Sequence, residues 1–144
     1  KNGKVIEAFE NRVLKSNLCD AGTLKGIREC LHDVVWDDEY GTASISPWKK
    51  RKAKSDLVAI AGKTGTAQIR DKGYSNRRHR MSFVGYFPED KPEYSCICVI
   101  HAPQGAYDSG MDCGGVVKVI AEKTMAYAGE YVIEDGELVM VVRE

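Results

Sequence analysis

The chain alternates between helical and strand periods. Leu24, Ile27, Leu31 and Val34 recur at spacings of three and four, which predicts a helix over residues 20–36 with one apolar face. Asp20 or Thr23 is placed to cap its start, and the polar run from Asp37 to Gly41 ends it. Residues 3–15 carry Val5, Ile6, Phe9, Val13 and Leu14 in short extended stretches, expected as an edge strand or hairpin. Three strands are predicted next, over 57–69, 80–87 and 94–101, separated by the turn signals Asp71-Lys72-Gly73 and Pro88-Glu89-Asp90. Their short connections imply antiparallel neighbours. The last two are apolar on both sides, so layers are expected on both faces of the sheet. A second helix is predicted over 113–128, with Val116, Ile120, Thr124 and Tyr127 along one side. Residues 131–133 and 138–142 flank Asp135-Gly136 and predict a terminal hairpin. The expected class is α/β (α+β): an antiparallel sheet with helices packed on it.

Composition narrows the function classes. At 144 residues the chain suffices for one domain. Twenty-one Lys+Arg balance twenty-one Asp+Glu, so net charge gives no argument for a nucleic-acid partner. The basic run Lys49–Lys52 lies in a polar loop, 42–56, and reads as a solvated surface because no aromatic platform accompanies it. No apolar run approaches the roughly 20 residues that span a bilayer. The chain opens at Lys1 and reads as a piece of a longer one. Cysteines 19, 30, 96, 98 and 113 are odd in number, and Cys96-Ile97-Cys98 reads as small core residues on one strand face. Without CxxC or HxxxH spacing no metal is expected, and no cofactor. His32, His79 and His101 read as a polar helix position, a solvated hairpin residue and a strand end, none with the partners of a general base.

The chemistry concentrates in Ala61-Gly62-Lys63-Thr64-Gly65-Thr66-Ala67-Gln68. Gly62-Lys63-Thr64 matches the end of a phosphate-binding loop, but that pattern needs Gly at 57, where Leu57 stands, and a helix starting at the lysine. The residues that follow have strand character instead. The competing reading is the K-T-G element of penicillin-interacting serine enzymes, carried on an edge strand. Thr64 and Thr66 are two apart and present hydroxyls on one face, suited to a substrate carboxylate. Gly65 lets a substrate backbone lie against the strand. Lys63 adds a positive field from the far side of a flat strand. The backbone N–H of Thr66 is a candidate oxyanion-hole donor.

The setting makes the motif specific. AGKTGTAQ is followed by Tyr74 in a turn, by Ser82–Pro88 (SFVGYFP), by an apolar strand ending His101-Ala102-Pro103-Gln104, and by Gly114-Gly115 opening a helix. A Gly-Thr-Ala, Gly41–Ala43, precedes it. This order resembles the C-terminal part of the transpeptidase domain of class B penicillin-binding proteins, the cell-division type of peptidoglycan DD-transpeptidase. The resemblance covers residues 1–128, and 129–144 form a tail outside it. It implies a partial serine-transpeptidase (β-lactamase-like) fold and an acyl-serine mechanism on peptidoglycan stem peptides, trapped by β-lactams. It also implies a parent anchored by an N-terminal membrane helix and working outside the cytoplasm in a cell-wall synthesis complex. Lys63, Thr64, Gly65 and Thr66 become the substrate wall, while Tyr74, on the turn after the K-T-G strand, reads equally as a border of the groove or as a surface aromatic.

The family's other two elements are S-x-x-K and S-x-N. S-x-N does not occur here, and the one S-x-x-K, Ser46-Pro47-Trp48-Lys49, is a chance match only 17 positions before Lys63. The nucleophile is therefore expected upstream, and this piece alone is expected to be inactive. SFVGYFP is also compatible with a β-lactam sensor or β-lactamase-related domain, and a non-catalytic binding module on the same scaffold is the third class. The strand over 94–101 is expected to leave an open edge, covered by 131–142 or by self-association.

Overall fold

The structure, a computed structural model, describes residues 12–44, 52–69, 78–101, 108–128, 131–134 and 137–140. Helix α1 spans Ala21–Trp36. Asp20 caps it, accepting from the Thr23 backbone N–H at 2.8 Å and from the Thr23 hydroxyl at 2.8 Å. Strands β1 (Ala61–Ile69), β2 (Arg78–Phe87) and β3 (Tyr94–His101) form one antiparallel sheet in that order. A single π-helical turn, Ser109–Cys113, leads into α2, Gly114–Tyr127. Strands β4 (Tyr131–Glu134) and β5 (Glu137–Met140) pair with each other as the expected hairpin and do not extend the larger sheet. The expected strand or hairpin at 3–15 falls largely outside the described residues, as do Ser46, Tyr74 and the run from Lys49 to Arg51.

Register decides which side chains share a face. Thr64 pairs with Phe83 and Thr66 with Met81, while Phe83 pairs with Cys98 and Met81 with Ile100. Thr64, Thr66, Phe83, Met81, Cys98 and Ile100 therefore look out from one side of the sheet. On that side Met81, Phe83 and Phe87 join Cys113, Val117, Ala121 and Met125 in the core. Burial and the neighbouring Cys98 push the Cys113 thiol up to about 11, so it stays a neutral core group. The ring of Phe83 occupies space that only glycines leave free. A Cβ on Gly62 would fall 2.6 Å from Phe83 Cζ and 2.4 Å from the Val84 carbonyl oxygen, and one on Gly85 2.9 Å from Phe83 Cε1. Beyond them the ring reaches Gly114 at the start of α2.

Four expectations change. The opposite face of the sheet is not fully covered by the described residues: Val84, Ile97 and Val99 are 48%, 64% and 51% exposed. In α2 the buried stripe is Gly114, Val117, Ala121 and Met125, while Val116, Ile120 and Tyr127 face outward, because the side carrying Gly114, which meets Ala53 and Phe83, is the one turned inward. In α1 only Val35 is buried, and Leu24 and Ile27 stay exposed. The helix docks through its last turn, where Trp36 Nε1 donates to the Ile60 carbonyl at 2.9 Å. That carbonyl and the neighbouring one of Ala59, which accepts from the Glu89 N–H at 2.9 Å, are spent outside the sheet. β1 accordingly begins at Ala61 and not at Leu57.

Two substitutions test this packing. Phe83→Ala is expected to cost about 3–5 kcal/mol in urea unfolding. Gly62→Ala is expected to cost about 1–3 kcal/mol, because backbone must move to admit the methyl group. An unchanged midpoint in Gly62→Ala contradicts the close approach of Phe83 to β1.

Candidate functional site: the K-T-G wall

β1 is an edge of the sheet, and its exposed middle carries the motif. The strand over 61–69 excludes the helix that a phosphate loop requires at Lys63. Thr64 and Thr66 lie on one face, as their spacing implies, and each meets a hydroxyl from another segment. The Thr42 and Thr64 hydroxyl oxygens are 2.8 Å apart, and the Thr66 hydroxyl donates to Ser109 Oγ at 3.3 Å. Lys63 departs from the flat-strand expectation. Its backbone position pairs with Val84 on the far face. Its ammonium nevertheless curls back, donating to the Thr64 carbonyl at 3.0 Å and to Thr64 Oγ1 at 3.3 Å. Among the described residues no further strand pairs with the outer edge of β1 to block that path. Gly65 pairs with Ser82, and a Cβ there would lie 2.6 Å from Ser82 Oγ. Its missing side chain makes room for Ser82 on the side away from the threonines.

The segments that bring Thr42 and Ser109 to the wall are tied together. Residues 42–44 fold over the end of α1, with the Ala43 N–H donating to the Val34 carbonyl at 2.8 Å. They pair with 52–53: Lys52 N–H donates to the Ser44 carbonyl at 2.8 Å and Ala53 N–H to the Ala43 carbonyl at 2.9 Å. Ser44 donates its hydroxyl to Asp38 Oδ1 at 2.6 Å, and the Lys54 ammonium meets the same oxygen at 2.8 Å. Lys52, the one residue of the basic run among the described residues, departs from the solvated reading. Its side chain is only 8% exposed, and its ammonium lies 2.9 Å from Asp108 Oδ2 and 3.0 Å from the Thr42 carbonyl. Nothing in the sequence separates Lys52 from its exposed-looking neighbours, and only the fold reveals its partner.

The arrangement is an open wall of hydroxyls with one ammonium. His32 pairs through Nδ1 with Glu89 Oε1 at 2.7 Å and stacks on Trp36. His101 accepts from Arg80 Nε at 3.4 Å. A cleft of about 390 Å³ runs along α1, lined in part by Leu24, Arg28, His32 and Glu89, and none of the K-T-G residues lines it. No three His, Cys, Asp or Glu residues gather as a metal site among the described residues.

Two hydroxyls thus stand on one face of an exposed edge strand, with a lysine ammonium at the first of them. The comparisons with known proteins give the family. Residues 3–126 match the model of the penicillin binding protein transpeptidase domain, and the chain belongs to that family. It is 28% identical over 102 residues to stage V sporulation protein D of Bacillus subtilis, covering 70% of this chain and 14% of the relative. It is 29% identical over 103 residues to the peptidoglycan D,D-transpeptidase FtsI homolog of Chlorokybus atmophyticus, covering 69% of this chain and 14% of that protein. The chain thus spans about one seventh of the length of these relatives. The apo transpeptidase domain of Burkholderia pseudomallei penicillin-binding protein 3 superposes with a TM-score of 0.59 at 27% identity, over 74% of this chain and 30% of that one. Penicillin Binding Protein 2X of Streptococcus thermophilus shares the fold, with a TM-score of 0.62 at 20% identity, over 75% of this chain and 16% of that one. The fold is a partial penicillin-binding fold of the α/β type.

The Asp108 carboxyl gives a pH signature. Burial alone raises its pKa, but the hydrogen bond from Lys52, the N–H groups of Met111 and Gly110 and the lysine charge together hold it below 3.8. A lowered carboxylate pKa adds stability above the unfolded value and loses it as the pH falls through the folded value. Asp108→Asn is therefore expected to be less stable than the parent sequence at neutral pH. The gap should close as the pH drops below about 4. Melting temperatures across that range check this, and a gap independent of pH contradicts it.

Proposed function

We propose that this chain is the substrate-carboxylate wall of a peptidoglycan DD-transpeptidase whose nucleophilic serine lies on a segment outside it. The observation that carries the reading is the pair Thr64 and Thr66, on one face of an edge strand, with the Lys63 ammonium 3.3 Å from Thr64 Oγ1. Two hydroxyl donors and a cation suit the terminal carboxylate of a D-Ala-D-Ala stem peptide and the carboxylate of a β-lactam. Gly65 keeps the strand slim between the two threonines.

The chemistry follows the family. The serine oxygen attacks the carbonyl carbon of the penultimate D-Ala while the S-x-x-K lysine takes its proton. The amide C–N bond then breaks, and terminal D-Ala leaves carrying a proton. The amine of a neighbouring strand attacks the acyl-serine, the ester C–O bond breaks, and serine regains its proton. The Thr66 N–H supplies an oxyanion donor on this side. Held alone, this piece has no such activity, and Ser46 is not its nucleophile. Strands from the rest of the domain complete the outer edge of β3, which self-associates when they are absent. In the parent, an N-terminal helix outside this chain anchors the enzyme on the extracytoplasmic face of the membrane within a cell-wall synthesis complex. No helix among the described residues is long and apolar enough to cross a membrane.

Intact-mass analysis after incubation with penicillin tests this. The longer parent is expected to gain one penicilloyl group, and the 144-residue chain none. Thr66→Val in the parent is expected to slow acylation roughly ten- to a hundredfold, the worth of one hydrogen bond to a charged group. An adduct on Ser46, or a parent that never acylates, overturns the reading. Rapid release of the penicilloyl group would move the parent to the β-lactamase-related class.

A further inference from the structure

We propose that Lys52 and Asp108 are a positioning pair that presents Ser109 as a third hydroxyl of the carboxylate wall. The inference rests on the K-T-G reading above and deepens it.

Asp108 is fixed from both sides. Its Oδ2 meets the Lys52 ammonium at 2.9 Å, and its Oδ1 accepts from the N–H groups of Gly110 at 2.7 Å and Met111 at 3.0 Å. Its own N–H donates to Asp112 Oδ2 at 2.8 Å. Ser109 sits between these anchored residues at the first position of the π-helical turn. The turn is also pressed onto the 42–43 segment, where a Cβ on Gly110 would fall 2.3 Å from the Thr42 carbonyl oxygen and 2.9 Å from Lys52 Cδ. Lys52 binds that same carbonyl. One buried ammonium therefore holds both neighbours of the K-T-G threonines: Thr42 against Thr64, and Ser109 against Thr66.

A hydroxyl has one proton and two lone pairs. In the free wall Thr66 spends its proton on Ser109 Oγ. When a carboxylate arrives, Thr66 turns its proton to the ligand, and Ser109 donates its own to the vacated Thr66 oxygen. The relay works only if Ser109 keeps its place, which the ion pair secures. Ser109 and Asp108 thus act on carboxylate recognition and not on the reacting carbonyl.

The test is the second-order acylation rate of the full-length parent by a penicillin with a free carboxylate and by its methyl ester. Ser109→Ala leaves the fold's hydrogen bonds otherwise intact. Asp108→Asn keeps an oxygen for the Gly110 and Met111 N–H groups and removes the charge facing Lys52. Each is expected to slow the free acid roughly five- to twentyfold and the ester less than about twofold, narrowing the ratio between them. Equal slowing of both ligands means general damage and overturns the proposal. So does an unchanged ratio in either variant while Thr66→Val narrows it. If Thr66→Val slows acid and ester alike, the K-T-G reading itself falls and takes this inference with it.

Discussion

Phe83 occupies the space that side chains at Gly62 and Gly85 would take, and its ring edge reaches Gly114. That contact joins β1, β2 and the start of α2 in one core. The rest of the wall depends on it. Phe83 pairs with Thr64 across the sheet, so the residue that fixes the core side of β2 also fixes the side on which the threonines emerge. A one-residue slip would turn Thr64 and Thr66 to the far face and bring Lys63 and Gly65 forward. The glycines on either side of Lys63-Thr64 thus do different work: Gly62 admits the core, and Gly65 admits Ser82 behind the wall.

The second constraint is electrostatic. A lysine with 8% of its side chain exposed needs a partner, since an unpaired buried charge is costly. Asp108 supplies one from a segment more than fifty residues away in sequence, and the pair ties the loop after α1 to the turn before α2. Both segments end at K-T-G hydroxyls. Core packing and buried charge therefore converge on the same strand from opposite ends of the chain.

Much of this was legible in the sequence, for physical reasons. Asp20 and Thr23 mark the start of α1, and the 94–101 strand is bounded by turn residues and filled with β-formers. K-T-G reads as a strand because threonines alternate with glycine there. What the sequence concealed depends on tertiary partners. Leu24, Ile27, Val116 and Ile120 form plausible stripes, but burial follows the side on which a neighbour sits, and here that is Val35 in α1 and Gly114, Val117, Ala121 and Met125 in α2. Leu57–Ile60 have strand composition, yet Trp36 and Glu89 claim two of their carbonyls. Lys52 looks like its basic neighbours until Asp108 is placed beside it. Ser109 carries no motif at all, and only the Asx cap formed by Asp108 hints that the residue after it is held.

The central claim is that this strand receives a carboxylate. The most direct measurement is a crystal structure of the longer parent acylated by a penicillin. The account predicts the ligand carboxylate within hydrogen-bond distance of the Thr64 and Thr66 hydroxyls, with the Lys63 ammonium beside Thr64. A penicilloyl group whose carboxylate lies against other residues, leaving Thr66 still bonded to Ser109, would contradict it.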